Sequence, residues 1–257
     1  MSPLVISVLL IGSLLAGWVD AVVGGGGLIL IPLVMIMNPG FSNAQALGVN
    51  KVAAIFGTGS SAVTLSRKVP GTTSAIRYAP LALLGSAFGA AVASSVDKQI
   101  MRPVIIVLLI AVGCFVLLRP SFGKGTSGKT VTKKSTIVIL CAIGAISIYD
   151  GLFGPGTGLF LIMGLTSILG KDFISSAAWA KVINVFTNLG ALLTFAIQGE
   201  VLWLLGFALA VTNVVGAQIG AHMVLNRGSS FIRIVILIVV VAMAAKLSLD
   251  QLGISLT

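Results

Sequence analysis

Charged residues are scarce in this chain of 257 amino acids, because Asp, Glu, Lys and Arg together make up only 9% of it. A soluble domain usually carries about 25% charged residues, whereas 57% of this sequence is hydrophobic. The composition therefore excludes a water-soluble globular domain, and it also excludes a disordered chain, which requires low hydrophobicity. The class that remains is an all-α, polytopic membrane protein built of apolar helices.

Cysteine and histidine are almost absent. The two cysteines and single histidine are too few for a disulfide-rich scaffold or for a metal site of histidine ligands. Cys114 and Cys141 lie inside apolar runs, and His222 lies near the end of one. A Walker glycine loop and a Ser, His and Asp set suited to nucleophilic catalysis are also missing. We therefore expect no metal, no cofactor and no enzymatic activity.

Acidic residues are fewer than basic ones, with 6 against 16 and a formal net charge of +10. Most of the basic residues lie between apolar runs, a position typical of loops retained on the cytoplasmic side of a membrane. This position explains the charge without a nucleic-acid partner. The first charged residue is Asp20, so the N-terminus lacks the basic segment of a cleavable signal peptide. We expect the first apolar run to stay in the mature protein.

The hydrophobic residues form eight apolar runs, at about 4–37, 44–66, 75–96, 101–118, 135–169, 174–197, 201–225 and 231–249. Six of these runs have the lengths of ordinary spanning helices. The first and fifth are longer, since 34 helical residues would reach about 50 Å across a core of about 30 Å. Both contain glycine clusters, which interrupt helices. The sequence therefore predicts that each long run is two half-helices joined by an unwound segment.

The chain also aligns with itself at an offset of 130 residues. At this offset the two acids deep in apolar runs coincide, as Asp20 with Asp150, and so do the two deep bases, as Lys51 with Lys181. We interpret this as a duplication, with a first repeat at 1–118, a polar basic linker at 119–134 and a second repeat at 135–257. Duplicated halves with interrupted helices at matching positions are typical of secondary transporters that bind substrate where the breaks meet.

The distribution of basic residues distinguishes two topologies. If the long runs cross the membrane fully, the repeats are parallel and Lys and Arg divide nine against five. If the long runs are re-entrant, the repeats are inverted and the division is eleven against three. The positive-inside rule favours inverted repeats of four hydrophobic segments each, with the linker in the cytoplasm and both termini outside. A tilted long helix with a break stays the alternative.

The glycine segments have the properties of an anion site. Half-helices that begin near Leu28 and Leu159 would present free N–H groups and a positive dipole end to these segments. Glycine has no side chain, so an anion can approach its backbone. The predicted binding segments are Gly24, Gly25, Gly26 and Gly27 in the first repeat and Gly156, Thr157 and Gly158 in the second.

At helical pitch, Lys51 and Lys181 return to the depth of the glycine segments. A lysine at mid-membrane costs about 2.5–3.5 kcal/mol on insertion scales, so a carboxylate, water or an anionic ligand must compensate. In one interpretation Lys51 pairs with Asp20, and Lys181 with Asp150, as structural struts. In the other, both lysines hold one anion at the repeat interface. The two can coexist if the aspartates hold the lysines until substrate arrives, and either aspartate could carry a coupled proton.

Three asparagines accompany the lysines. Asn50 is next to Lys51 in the sequence, and Asn184 and Asn188 are spaced to share one helical face with Lys181. Amide groups in these positions could donate hydrogen bonds to an oxyanion or bond between helices. The sequence alone does not distinguish these roles.

A family resemblance emerges from these motifs. Two glycine-broken apolar segments that contain Asp, each followed about 30 residues later by an intramembrane lysine, and the stretches GGGGLILIP and ALGVNKVAAIFGT resemble the sulfite exporter TauE/SafE family of transporters. The resemblance covers nearly the whole chain, although Pro155 and Thr157 replace glycines and Ala180 stands opposite Asn50. It implies a multi-pass protein of a bacterial-type cytoplasmic (inner) membrane whose substrates are small sulfur anions such as sulfite, sulfoacetate and thiosulfate.

The expected function is therefore secondary transport of a small anion by alternating access. An anion channel of the same fold is the alternative, and it would need a continuous polar pore. The expected partners are the anionic substrate, the lipid bilayer, a coupling proton or cation and a second copy of the chain in a homodimer.

Overall fold

The computed structural model describes residues 1–93, 95 and 132–251, with the backbone alone over 228–251. This part of the chain is helical and contains no strand. Its elements are α1 (Pro3–Val23), α2 (Gly27–Met37), α3 (Asn43–Lys68), a 3₁₀ helix (Thr72–Tyr78), α4 (Ala79–Ala93), α5 (Lys133–Leu152), α6 (Thr157–Leu169), α7 (Phe173–Ile197) and α8 (Trp203–Gln251).

Five helical segments of the described residues are long and apolar enough to cross a membrane, namely Pro3–Val23, Thr72–Ala93, Lys133–Leu152, Phe173–Ile197 and Trp203–Arg227. This finding confirms the expected class of an all-α membrane protein. Helix α3 has 26 residues but is more polar, and several of its polar residues, including Asn50, Lys51 and Thr58, are buried. Helices α2 and α6 have only 11 and 13 residues, too few to cross a hydrocarbon core of about 30 Å.

Both long apolar runs are interrupted at their glycines. Helix α1 ends at Val23 and is capped by Gly24, which has φ +81°, and α2 begins at Gly27. In the second half, Gly154 and Gly156 have φ of +87° and +81° before α6 begins. This left-handed conformation is strained for residues with a Cβ atom and open to glycine, so glycine is what allows the chain to turn at these positions.

Each short helix folds back along the helix before it. A Cβ atom placed on Gly26 would lie 2.7 Å from the carbonyl oxygen of Ala16, and one on Gly12 would overlap Leu33. Helix α2 therefore runs antiparallel to the second half of α1. Helix α6 runs back along α5 in the same way, because a Cβ atom on Gly164 would lie 3.8 Å from Ile139.

The two halves of the chain interlock. Helix α4 makes its largest contacts with α5 and α7, and α8 makes its largest contacts with α1 and α3. Helices α3 and α7 also pack on each other and run antiparallel: Leu47 shares a buried cluster with Phe195 near one end, and Val69 shares another with Phe173 near the opposite end. Helix α4 of the first half therefore packs against helices of the second half, and α8 of the second half packs against helices of the first.

Three helices of the second half begin 130 residues after three helices of the first. Helix α5 begins at Lys133 and α1 at Pro3, α6 at Thr157 and α2 at Gly27, and α7 at Phe173 and α3 at Asn43. This is the offset at which the sequence aligns with itself.

Two of the differences from the sequence-based boundaries have a clear physical cause. The seventh and eighth apolar runs were expected to be separate segments, but α8 is one helix of 49 residues; an isolated Gly inside a helix costs only about 1 kcal/mol, which is too little to end it. Helix α5 also begins two residues early, because Thr132 and Ser135 form a capping box that starts it at Lys133. The fourth run, Cys114 and the linker up to residue 131 lie outside the described residues.

Candidate functional site

The two helix breaks lie against each other. A Cβ atom on Gly24 would overlap the backbone of Gly158, and one on Gly27 would lie 3.5 Å from the Cα atom of Pro155. The backbones of the two halves can approach this closely only because the contacting residues are glycines. These glycines therefore allow the two halves to pack closely, a role that the sequence pattern did not predict.

Lys51 is fully buried at this junction, with 1% of its surface exposed. Its Nζ atom lies 2.7 Å from Oδ2 of Asp150 and donates a second hydrogen bond to Oδ1 of Asn188 at 3.1 Å. The other carboxylate oxygen of Asp150 accepts a hydrogen bond from the Thr157 hydroxyl at 2.7 Å. Asp150 is only 2% exposed, so this ion pair is shielded from solvent.

Lys181 makes the corresponding contact on the other side. Its Nζ atom lies 2.8 Å from Oδ2 of Asp20 and also donates to the backbone carbonyl of Asp20. The carboxylate accepts from the Thr58 hydroxyl at 2.9 Å and from the backbone N–H of Gly26 at 3.4 Å. The Asp20 side chain is 13% exposed, so this pair is less shielded than the first.

The pairing within each half that the strut interpretation required is wrong. Lys51 pairs with Asp150 rather than Asp20, and Lys181 pairs with Asp20 rather than Asp150. The physical reason is the packing of α3 against α7, which carries each lysine across the junction to the break of the opposite half. The lysine charges are neutralised by carboxylates, but by those of the other half.

A hydrogen-bonded chain links the two ion pairs. Asn188, which binds Lys51, donates through Nδ2 to the Thr58 hydroxyl at 3.5 Å, and Thr58 donates to Asp20. Thr58 was not among the predicted site residues. The 130-residue offset places it opposite Asn188, so the self-alignment contains the signal that identifies it.

The remaining predicted residues differ in their surroundings. Asn184 is buried, and its Oδ1 atom accepts a hydrogen bond from Thr187 within the same helix at 2.9 Å. Asn50 is buried next to Lys51 on α3. A Cβ atom on Gly25 would lie 3.0 Å from the Leu28 side chain and 3.6 Å from that of Val19, and one on Gly156 would have no neighbour closer than 3.9 Å. The structure thus brings the lysines, the aspartates, Thr157 and Asn188 together, whereas Asn184 bonds within its own helix.

Each carboxylate lies at the start of a half-helix. Asp20 accepts from the N–H of Gly26, the residue that caps α2, and Asp150 accepts from Thr157, the first residue of α6. These are the positions in which the helix dipole favours a negative charge. The junction contains two lysines and two aspartates, so each lysine already has a carboxylate partner. No group of three His, Cys, Asp or Glu side chains suited to a metal ion occurs within the described ranges.

Comparison with known proteins gives consistent matches along the chain. The sequence profile described as "Sulfite exporter TauE/SafE" matches residues 9–247. The "Probable membrane transporter protein YfcA" of Escherichia coli (strain K12) is 34% identical over 253 residues, 98% of this chain and 93% of that protein. The "Probable membrane transporter protein ORF9" of Sinorhizobium sp is 32% identical over 245 residues, 94% of this chain and 92% of that protein. No solved structure matches the chain.

Proposed function

The chain belongs to the sulfite exporter TauE/SafE family and is a multi-pass membrane transporter, and from this premise we propose that it carries a small sulfur oxyanion or organosulfonate across a bacterial cytoplasmic membrane. The transport is secondary and proceeds by alternating access. The observation that carries the proposal is the pair of buried Lys–Asp contacts exchanged between the two halves at the helix breaks.

The chemistry of the junction fits an oxyanion. Lys51 and Lys181 supply two cations, and the starts of α2 and α6 supply N–H groups and positive dipole ends. The glycine segments, Asn50, Asn184 and Asn188 extend this proposed set. The two breaks are in contact in this structure. A small separation of the two halves during transport would therefore admit only a small anion.

In the proposed binding step, the substrate oxyanion replaces an aspartate carboxylate as the partner of a lysine. An oxyanion that enters the junction takes over a lysine from its aspartate, and a proton on that aspartate makes the exchange electrically balanced. Asp20 is the more exposed of the two carboxylates, at 13% against 2%, so we assign the coupled proton to it. This assignment makes the transporter a proton-linked carrier.

The helix directions support inverted repeats. Helices α3 and α7 occupy equivalent positions at the 130-residue offset and run antiparallel. Such a relation is typical of transporters that bind substrate at the interface of their repeats and open it to alternate sides by rocking one half against the other, which supports the proposed site. The hairpins α1–α2 and α5–α6 are re-entrant in this arrangement.

The ends of the helices support an orientation. The basic side chains outside the junction that the structure describes gather at the end where α3 ends and α7 begins: Arg67, Lys68, Arg77, Lys133, Lys134, Lys171 and Arg227. Glu200 lies at the opposite end, against Ser42. The positive-inside rule assigns the basic end to the cytoplasm, with the start of α1 at the opposite, outer end. Because α8 continues as one helix from Trp203 past Arg227 to Gln251, it does not return to the outer end, and the expected outer position of the C-terminus is not part of this proposal.

Counterflow into proteoliposomes tests the proposal. Proteoliposomes that contain the purified protein are loaded with unlabelled sulfite, thiosulfate or sulfoacetate, and the uptake of the labelled anion is measured. Sulfate, acetate and chloride serve as comparison anions. We expect saturable exchange of at least one sulfur anion, and about 30-fold weaker binding or more in Lys181→Met, since a charged contact in a dry site is worth about 2–5 kcal/mol. Undiminished binding in this variant would remove Lys181 from the site.

The same vesicles separate a carrier from an anion channel. A channel conducts without saturation and shows no counterflow, whereas a carrier exchanges bound anion. Both lysines are only 1% exposed, and the breaks pack on each other, which supports the carrier. Imposing an inward proton gradient should accelerate uptake, and Asp20→Asn should abolish that acceleration.

A further inference from the structure

A second group of cations lies at the basic end of the protein, away from the Lys–Asp junction. The guanidinium of Arg77 lies 4.8 Å from the ring centre of Tyr78 and 5.4 Å from that of Trp179, and the Nζ atom of Lys171 lies 3.8 Å from the Trp179 ring centre. Arg77 also donates a hydrogen bond to the Tyr78 hydroxyl at 2.9 Å. Two positive groups are therefore held over one indole ring, within about 6 Å, as cation–π contacts require.

The aromatic rings form a rigid floor for these cations. Trp179 and Tyr78 are buried, with 5% and 4% of their surfaces exposed, and their ring centres are 6.2 Å apart. Arg77 is exposed above them and Lys171 is half-buried. Because Trp179 is buried among helices, it does not act as a lipid-facing interfacial tryptophan. The cluster instead holds two cations against two buried aromatic rings.

Within the described residues, neither cation has a carboxylate at ion-pair distance, because the two ion pairs found there are both at the helix breaks. Asp172 follows Lys171 in the chain, but its carboxylate caps α7 by accepting from the backbone N–H and hydroxyl of Ser175 at 2.9 and 2.6 Å. Residues 96–131 contain a single acid, Asp97. Of the six acids of the chain, Asp97 and Asp250 lie outside the described side chains, and the other four form no ion pair with Arg77 or Lys171.

Burial and mutual repulsion also act on Lys171. Burial lowers its pKa, Arg77 lowers it further, and Asp172 opposes both effects. Like charges held this close are destabilising unless an anion lies between them. An oxyanion would relieve the repulsion and would gain charge-assisted hydrogen bonds from a guanidinium and an ammonium.

We propose that Arg77, Lys171 and the Trp179–Tyr78 floor form a second oxyanion site at the basic end of the protein. Its ligand is a tetrahedral oxyanion with exposed oxygens, which is either the phosphate of an anionic lipid headgroup or a free sulfur oxyanion. The site is independent of the Lys–Asp junction, so it is testable by binding alone, whether or not the chain transports sulfur anions.

Trp179 provides the readout. The chain has three tryptophans, so Trp18→Phe with Trp203→Phe leaves Trp179 as the single emitter. Its fluorescence is recorded in nanodiscs of phosphatidylcholine during titration with sodium sulfate, at constant ionic strength maintained by chloride, and in nanodiscs of an equal mixture of phosphatidylcholine and phosphatidylglycerol. A saturable change in Trp179 fluorescence with sulfate would identify a free anion as the ligand. A change in the nanodiscs with phosphatidylglycerol that added sulfate does not reverse would identify a lipid headgroup.

Matched variants separate the site from general surface charge. Arg77→Gln and Lys171→Gln should each weaken the response about tenfold, the factor that corresponds to about 1.4 kcal/mol. Lys134→Gln removes one charge from the same end of the molecule and should leave the response unchanged, and Arg77→Lys should retain part of it. An equal loss in Lys134→Gln, or no response to either sulfate or phosphatidylglycerol in folded, monodisperse protein, would overturn the proposal.

Discussion

The exchange of ion-pair partners between the halves is tested by neutralising the partners one at a time and then together. Lys51→Met leaves the Asp150 carboxylate, which is 2% exposed, without its cation, and removing one member of a buried pair costs about 3–5 kcal/mol. Asp150→Asn strands the ammonium in the same way. The double variant strands neither charge, and replacing a whole buried pair by neutral side chains is often close to neutral. The two single losses sum to about 6–10 kcal/mol, so the double variant should be more stable than that sum by about the same amount.

Thermal unfolding in detergent measures these differences. For a chain of this size, 1 kcal/mol corresponds to about 2–4 °C, so each single variant should lose about 6–20 °C in the temperature at which half of the protein stays monodisperse. Lys51→Met with Asp150→Asn should return to within a few degrees of the unmodified protein. Lys51→Met with Asp20→Asn is the matched control, since it has the same charge change in residues that do not form a pair.

The control also defines the refuting result. In the exchanged arrangement, Asp20→Asn strands Lys181 and adds a second loss to that of Lys51→Met. If Asp20→Asn restored the stability of Lys51→Met and Asp150→Asn did not, each lysine would pair within its own half and the exchanged arrangement would be refuted.

Three further predictions concern other parts of the molecule. Gly24→Ala should lower the melting temperature far more than Gly25→Ala, because Gly24 has φ +81° and touches the backbone of Gly158, whereas a Cβ atom on Gly25 meets a movable side chain. Thr58→Val should cost about 1–3 kcal/mol by leaving part of the Asp20 carboxylate unsatisfied, and Thr58→Ser should restore it; equal melting of both variants would contradict this. Lys134→Cys in a cysteine-free background should react with an impermeant maleimide in inside-out vesicles and not in whole cells.

Some features of the site are predictable because they depend on local chemistry. The four consecutive glycines at 24–27 and the glycine-rich GPGTG stretch at 154–158 disfavour a continuous helix, so the two breaks can be located from the sequence alone. The depth of Lys51 and Lys181 follows from counting residues along a helix of known rise. The apolar composition determines the membrane class in the same way.

Other features depend on packing between distant segments. Counting residues gives the depth of Lys51 but not the direction in which its side chain reaches, and that direction is decided by the antiparallel contact of α3 with α7. The dense contact of Gly24 with Gly158 likewise arises only when two halves meet. The sequence pattern indicated that the glycines leave room for an anion, but it could not show that the backbone of the other half occupies the space beside Gly24.

The exchange of partners also constrains the order in which the protein can be made. Lys51 and Asp150 are separated by 99 residues, and Asp20 and Lys181 by 161. At a synthesis rate of about 5–20 residues per second, the ribosome needs on the order of 5–20 s to reach Asp150 after it has made Lys51. During that interval Lys51 and Asp20 lack the partners that they have in the folded protein. The first half therefore cannot reach its final structure before the second half is made. A fragment truncated after residue 118 should be degraded in the cell unless the second half is expressed with it.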